Sequence, residues 1–210
     1  MKRGKLLVIE GIDCAGKDTQ INHLQLRLTR EGFNVLSIRE PGGTKIGESL
    51  RTILKNPQYK DVIHPVTSLL LFNAARLQLV TEVIRPVLDQ GLIVLSNRSY
   101  LSTLAYQGHA EGLPLELISQ ICQVALDGLI PDRILLLDIS VEEMLRRMKL
   151  RGGSAADRYD SLDSSFHQKV RDGYLKEAEN QSPLVKIIYG QQSEREVAVD
   201  IWNRVKDLLS

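Results

Sequence analysis

Between Glu10 and Thr19 the chain carries two glycines five residues apart, Gly11 and Gly16, followed at once by Lys17. Glycines at this spacing let a backbone curl so that successive N–H groups point inward. A lysine at the start of the following helix can then bridge the outer oxygens of a phosphate chain. The positive end of that helix adds to the attraction. Gly11, Ile12, Asp13, Cys14, Ala15, Gly16, Lys17, Asp18 and Thr19 therefore read as a phosphate-binding loop, and the chemistry it points to is binding or transfer of a phosphoryl group. A hydroxyl residue usually follows such a lysine and binds Mg²⁺; Asp18 stands there instead, with Thr19 after it.

Other residues offer matching chemistry. Arg39-Glu40-Pro41-Gly42-Gly43-Thr44 forms a charged loop at the end of an apolar run, and Leu69, Phe72 and Arg76 lie three and four apart, so a ring and a guanidinium share one helical side. Asn97-Arg98-Ser99-Tyr100 and Ser102-Thr103-Leu104-Ala105-Tyr106-Gln107-Gly108 bring a dense set of hydrogen-bonding groups that reads as capping and turn chemistry. Arg147 and Arg151 share a helical face, and Gly152-Gly153 separates them from Arg158, which describes a lid over about residues 147–163. Closure of an arginine-bearing lid excludes water and stabilises negative charge in transit.

The elements that must position these groups follow from periodicity. Lys5–Ile9, Asn34–Ile38, Leu92–Ser96, Arg133–Asp138 and Val185–Tyr189 are short apolar runs of strand length. Between them, helical patterns cover Ile21 to Leu28, Ile46–Leu54, Pro65–Leu88, Pro114–Leu126, Val141–Leu150 and Ser165–Glu179, and Glu194–Leu209 closes the chain. Strands alternating with helices predict an α/β fold whose five-stranded, mostly parallel sheet is flanked by helices. Ligands of such sheets sit at the carboxyl ends of the strands, where the phosphate loop and the Arg39–Thr44 loop both fall. Strand order is not readable from these patterns.

The length, 210 residues, fits one domain. Lysine and arginine number 27 against 26 acidic residues, so there is no general basic field for nucleic acid, and anion recognition must be local. No apolar run reaches membrane-spanning length, and Met1-Lys2-Arg3-Gly4 is not followed by an export signal. Cys14 and Cys122 lack metal spacing and suggest a reducing compartment, so a soluble cytoplasmic protein is expected.

Taken together, the phosphate loop with Glu10 and Asp13, Glu40-Pro41-Gly42-Gly43-Thr44, Leu71-Phe72-Asn73-Ala74-Ala75-Arg76-Leu77-Gln78, Ser102 to Gly108 and Asp157-Arg158 resemble the thymidylate kinase family over nearly the whole chain. The resemblance implies a three-layer P-loop NTPase fold with a mobile lid, transfer of phosphate from ATP to dTMP with Mg²⁺, and a homodimer. It implies that Phe72 stacks on thymine, that Arg76 and Thr103 bond its edge, and that Tyr106 crowds the sugar 2′ position. Asp13 would hold the 3′-hydroxyl, Arg51 and Arg98 the acceptor phosphate, and Glu40, Pro41 and Gln107 would complete the acceptor site. Lys17 and the loop amides would hold ATP, Arg147 would lie near the adenine, and Arg151 and Arg158 would reach the transferring group.

Three departures stand out: Asp18 in place of a hydroxyl residue, Asn97 in place of aspartate before Arg98, and Tyr189-Gly190 near the implied adenine site. The first two are read as an exchange in which Asp18 supplies the anionic metal ligand that Asn97 cannot. The sequence leaves open an acceptor range widened to dUMP, and a nucleotide sensor that binds without transfer. Full retention of Lys17, Arg98, Arg151 and Arg158 weighs against the sensor.

Overall fold

The computed structural model describes residues 3–151, 158–159 and 161–209. Among them, β1 (Leu6–Glu10), β2 (Val35–Arg39), β3 (Ile93–Asn97), β4 (Arg133–Asp138) and β5 (Val185–Tyr189) form one sheet in the order β2-β3-β1-β4-β5, every pair parallel. β1 is central and wholly buried because it has a ladder on each side: Leu7 aligns with Leu95 of β3 and with Arg133 of β4. Its unbroken apolar run is what a strand covered on both faces requires. The edge strands β2 and β5 are less buried, and β5 exposes Ile187 and Tyr189.

Each crossover helix is stopped or started by a local device. α1 (Lys17–Arg30) buries Ile21, Leu24 and Leu28 against the sheet. In α2 (Lys45–Lys55) the Thr44 hydroxyl accepts from the Gly47 amide at 2.9 Å, and α3 (Pro65–Leu79) begins with proline where no N–H is needed. The long helix expected over 65–88 runs through a wide π-helical turn, Val80–Ile84, into α4 (Arg85–Asp89). α6 (Leu115–Leu126), α7 (Val141–Arg151), α8 (Ser164–Asn180) and α9 (Glu194–Val205) fall where the periodicity put them, and Ser193 and Glu196 cap α9 reciprocally.

The stretch expected to form turns is helical. α5 (Tyr100–Thr103) opens directly into a π-helical turn, Leu104–Ala110, packed against α8. Its polar side chains imitate turn composition, but they face the site while Leu101, Leu104 and Ala105 enter the core. Gly108 belongs to this packing, since a Cβ there would stand 2.5 Å from Leu115 Cδ2.

Candidate active site

The phosphate loop leaves the buried end of β1 and enters α1. Gly11 has φ 141°, and a Cβ on it would meet the Leu137 carbonyl oxygen at 2.5 Å, so only glycine fits. Gly16, at φ 95°, turns the chain into α1. Ile12 and Ala15 send their side chains into the core, so their contribution to the loop is backbone. Lys17 folds back over the loop, donating to the Gly11 carbonyl at 3.0 Å and the Ile12 carbonyl at 2.7 Å. Burial, joined by the nearby Arg98 charge, brings its pKa down to about 7, against the pull of Asp13, Glu10 and Asp18.

Two cavities meet beside this loop. One is lined by Cys14, Gly16, Lys17, Asp18, Thr19, Arg39, Arg51, Asn97 and Arg147. The other is lined by Pro41, Phe72, Arg76, Ser99, Ser102, Thr103, Tyr106, Gln107 and Tyr159. Asp13, Glu40, Lys55 and Arg98 line both. The first is a basic groove at a helix N-terminus; the second has aromatic and amide walls suited to a planar base.

Arg98 stands at the join. Its φ of 77° is unusual for a residue with a side chain, and the strain is offset by a tight set of bonds. Its guanidinium reaches Asp13 Oδ1 at 2.5 Å, Ser102 Oγ at 3.1 Å, Tyr174 Oη at 3.0 Å and the Gly11 carbonyl at 3.2 Å. Burial works against ionisation of Asp13, but Arg98, Lys17 and Lys55 outweigh it and hold the carboxyl well below the usual range. Behind them Glu10 is fully buried and organises the turn after β3. It accepts from the Ser99 and Ser102 amides at 2.7 and 3.2 Å, from the Ser102 hydroxyl at 2.7 Å and from Tyr174 at 2.9 Å.

In the aromatic-walled cavity, Arg76 Nε donates to Glu40 Oε2 at 2.7 Å, Nη1 to Asn73 Oδ1 at 2.6 Å and Nη2 to Thr103 Oγ1 at 3.0 Å. A guanidinium has five N–H groups, so a donor of Nη2 remains for a carbonyl on a base edge. Tyr106 donates to Asp13 Oδ2 at 2.9 Å, and Gln107 Nε2 to Tyr159 Oη at 3.0 Å. Arg147 spans the groove, donating to Glu143 at 2.6 Å, to the Gly190 carbonyl at 2.9 Å and to the Ala15 carbonyl at 3.4 Å.

Of the two lid arginines, only Arg158 has a described side chain. Arg158 is buried away from the phosphate groove, bonded to the Ser68 hydroxyl and, at 2.5 Å, to Tyr159 Oη, with its guanidinium 4.6 Å from the Tyr159 ring centre. It lines a separate hollow with Lys60, Glu111 and Phe166. These bonds and the cation–π contact set it against Tyr159, outside the two cavities beside the phosphate loop. Arg151 ends α7, and its side chain, like residues 152–157 and 160 of the expected lid, lies outside the described residues. Sequence reasoning missed Lys55 and Tyr159. Lys55 carried one signal, its position four residues after Arg51 on the same helical face.

A parallel sheet whose central strand ends in a glycine-bounded loop closed by Lys17, with a second cavity opening onto it, defines a P-loop nucleotide-binding protein. The model of the thymidylate kinase family matches residues 9–201, and the chain belongs to that family. It is 41% identical over 207 residues to a thymidylate kinase of Thermoanaerobacter sp. (strain X514), covering 99% of this chain and 100% of that protein. A thymidylate kinase of Legionella pneumophila (strain Paris) is 38% identical over 206 residues, covering 98% and 96%. Membership makes it a kinase, phosphorylating dTMP to dTDP.

Proposed function

We propose that the chain, acting as one domain, takes dTMP in the aromatic-walled cavity and ATP along the phosphate groove, and passes the γ-phosphoryl group where the two meet. The observation that carries this is the shared rim of Asp13, Glu40, Lys55 and Arg98, side chains that line both cavities. A phosphate oxygen of dTMP attacks the γ-phosphorus in line. One P–O bond forms, the bond from that phosphorus to the β–γ bridging oxygen breaks, and its electron pair leaves with ADP. The acceptor phosphate, with a second pKa of about 6, is already ionised at neutral pH, so no strong base is needed.

The protein contributes position and charge. Phe72 faces the base, Arg76 offers its remaining donor to the base edge, and Tyr106 with Asp13 closes on the sugar. Arg51 and Arg98 hold the acceptor phosphate, while Lys17 leaves its loop carbonyls for the triphosphate. Arg147 flanks the adenine end beside Gly190.

Mg²⁺ fits this groove. Asn97 Oδ1 is buried and makes no hydrogen bond among the described residues, and Asp18 beside it brings a carboxylate. Asp18 and Asn97 would hold the ion directly or through water. An ion held there would offset the negative charge of the triphosphate. Cys14 and Cys122 are in no disulfide among the described residues, which suits the cytoplasm, and among the described residues no helix is long and apolar enough to cross a membrane.

We also infer a homodimer. α2, α3 and α6 pack side by side, and each exposes apolar residues seven apart: Ile46 and Ile53, Leu70 and Leu77, Leu117 and Val124. Seven residues are about two turns, so each pair marks one outward stripe. A second copy of the chain is the occupant that covers it.

The test of the reaction is ADP formation from ATP with dTMP, dUMP, dCMP and dGMP as separate acceptors across a Mg²⁺ titration. Selective turnover of dTMP is expected. Tight binding of ATP and dTMP without ADP formation would overturn the reading in favour of a sensor.

A further inference from the structure

We propose that Glu48 is a positioning residue of the acceptor site, fixing the loop that walls it without touching the acceptor. The inference deepens the proposed reaction and rests on it. Between β2 and α2 the chain bends at Gly42, φ 131°, and Gly43, φ 82°, backbone conformations that residues with side chains rarely adopt. Glycines also have the most freedom to lose, so this turn needs a hold from outside to keep one shape. Glu48, in the first turn of α2, supplies it: its Oε1 accepts from the Gly43 amide at 2.7 Å. The fit is close, since a Cβ on Gly42 would stand 2.5 Å from the same oxygen.

The rest of α2 completes the grip. Three residues on, Arg51 donates to the Pro41 carbonyl at 2.9 Å, and a Cβ on Gly47 would stand 2.9 Å from the Gly42 carbonyl oxygen, so helix and loop lie in contact. From the strand side, Arg39 Nη2 donates to the two Glu48 oxygens at 3.0 and 2.8 Å. The carboxylate thus ties the last residue of β2 to the Gly43 amide, and Glu40 and Pro41, which line the aromatic-walled cavity, lie between the two ties. Glu40 in turn accepts from Arg76 Nε at 2.7 Å, which orients the guanidinium proposed to meet the base edge. Glu48 lines neither cavity, so its effect on the acceptor runs through this loop.

Two other roles would leave Glu48 in the same place. An acid in the first helical turn complements the helix dipole, and the half-exposed pair with Arg39 balances a charge beside the phosphate groove. Both of these need the negative charge. Fastening the Gly43 amide needs an acceptor oxygen, which glutamine carries on a side chain of the same length. The ligand separates the roles further. Thymidine has no phosphate for Arg39 to attract, so a change in its affinity reports the wall of the cavity and not the charge of the groove.

The experiment titrates wild type, Glu48→Ala and Glu48→Gln with thymidine and with dTMP, and measures kcat at saturating dTMP. Glu48→Ala is expected to bind both ligands about tenfold more weakly, the size of one hydrogen bond to a charged group, and Glu48→Gln to recover most of the loss. The kcat of both variants stays within about twofold of wild type. Unchanged thymidine affinity in Glu48→Ala, or equal weakening by the two variants, overturns the inference while leaving the kinase reading intact. A wild type that binds neither thymidine nor dTMP overturns the acceptor site itself, and the inference with it.

Discussion

Asn97 Nδ2 donates to Asp18 Oδ1 at 2.6 Å, tying the end of β3 to the first turn of α1 across the mouth of the phosphate groove. The two departures from the family pattern are thus one contact, and the amide fixes which way the carboxylate faces. Asp18→Asn is expected to move the Mg²⁺ midpoint of the reaction upward by about tenfold, the loss of one anionic ligand. Mn²⁺ binding in the presence of ATP, followed by electron paramagnetic resonance, gives an independent readout. An unchanged midpoint and unchanged Mn²⁺ binding would remove the metal role from Asp18.

Lys17 titrates near neutrality before nucleotide arrives, because burial and Arg98 disfavour its charge. A bound triphosphate favours the ammonium, so ATP binding above about pH 7 must draw in a proton. Affinity should therefore fall as pH rises past 7, by up to about tenfold per unit. Calorimetry at about pH 8 in two buffers of different ionisation heat should show proton uptake by the wild type. Lys17→Arg, whose charge does not titrate, should show none.

Arg76 and Glu40 are both buried, and burial pushes the Glu40 carboxyl upward while the guanidinium holds it down. Removing either partner strands the other. Arg76→Met and Glu40→Gln are each expected to lower unfolding stability by about 3 kcal/mol or more. Chemical denaturation checks this, and a loss below about 0.5 kcal/mol would mean that the pair is solvated in solution.

Tyr106 is buried with its hydroxyl on Asp13, beside the place proposed for the sugar. Tyr106→Ala should admit the 2′-hydroxyl and narrow the preference for dTMP over the matching ribonucleotide by about tenfold or more. Competition between the two acceptors measures it. A ratio equal to that of the wild type would place the discrimination elsewhere.

The stripes on α2, α3 and α6 are expected to close a dimer. Val124→Glu combined with Leu77→Glu should shift the sedimentation coefficient from dimer to monomer. Both residues are exposed in the single chain, Val124 at 71%, so the fold itself should survive. A wild type that sediments as a monomer would contradict the assignment.

Much of the fold was legible in the sequence because a strand buried on both faces must be apolar throughout, as Leu6 to Ile9 and Ile134 to Leu137 are. Strand order was not, since parallel partners such as Leu7 and Leu95 are brought together only by the crossovers between them. The loop from Gly11 to Lys17 announced itself through backbone demands that few residues meet. Lys55 and Tyr159 did not, because a lysine at a helix end and a tyrosine among charged residues read as solvent-facing until the two cavities are seen to share a wall. Tyr100 to Gly108 was misread as turns because site-facing polar groups and turn-forming polar groups are the same residue types.

The π-helical turn at Leu104–Ala110 makes residue count, and not only residue type, a constraint on inheritance. An α-helix advances about 100° per residue, so deleting one position to give an ordinary turn would swing Tyr106 and Gln107 away from the cavity together. Variation in this lineage can exchange side chains along that segment one at a time. It cannot shorten the segment without moving both side chains off the cavity they line.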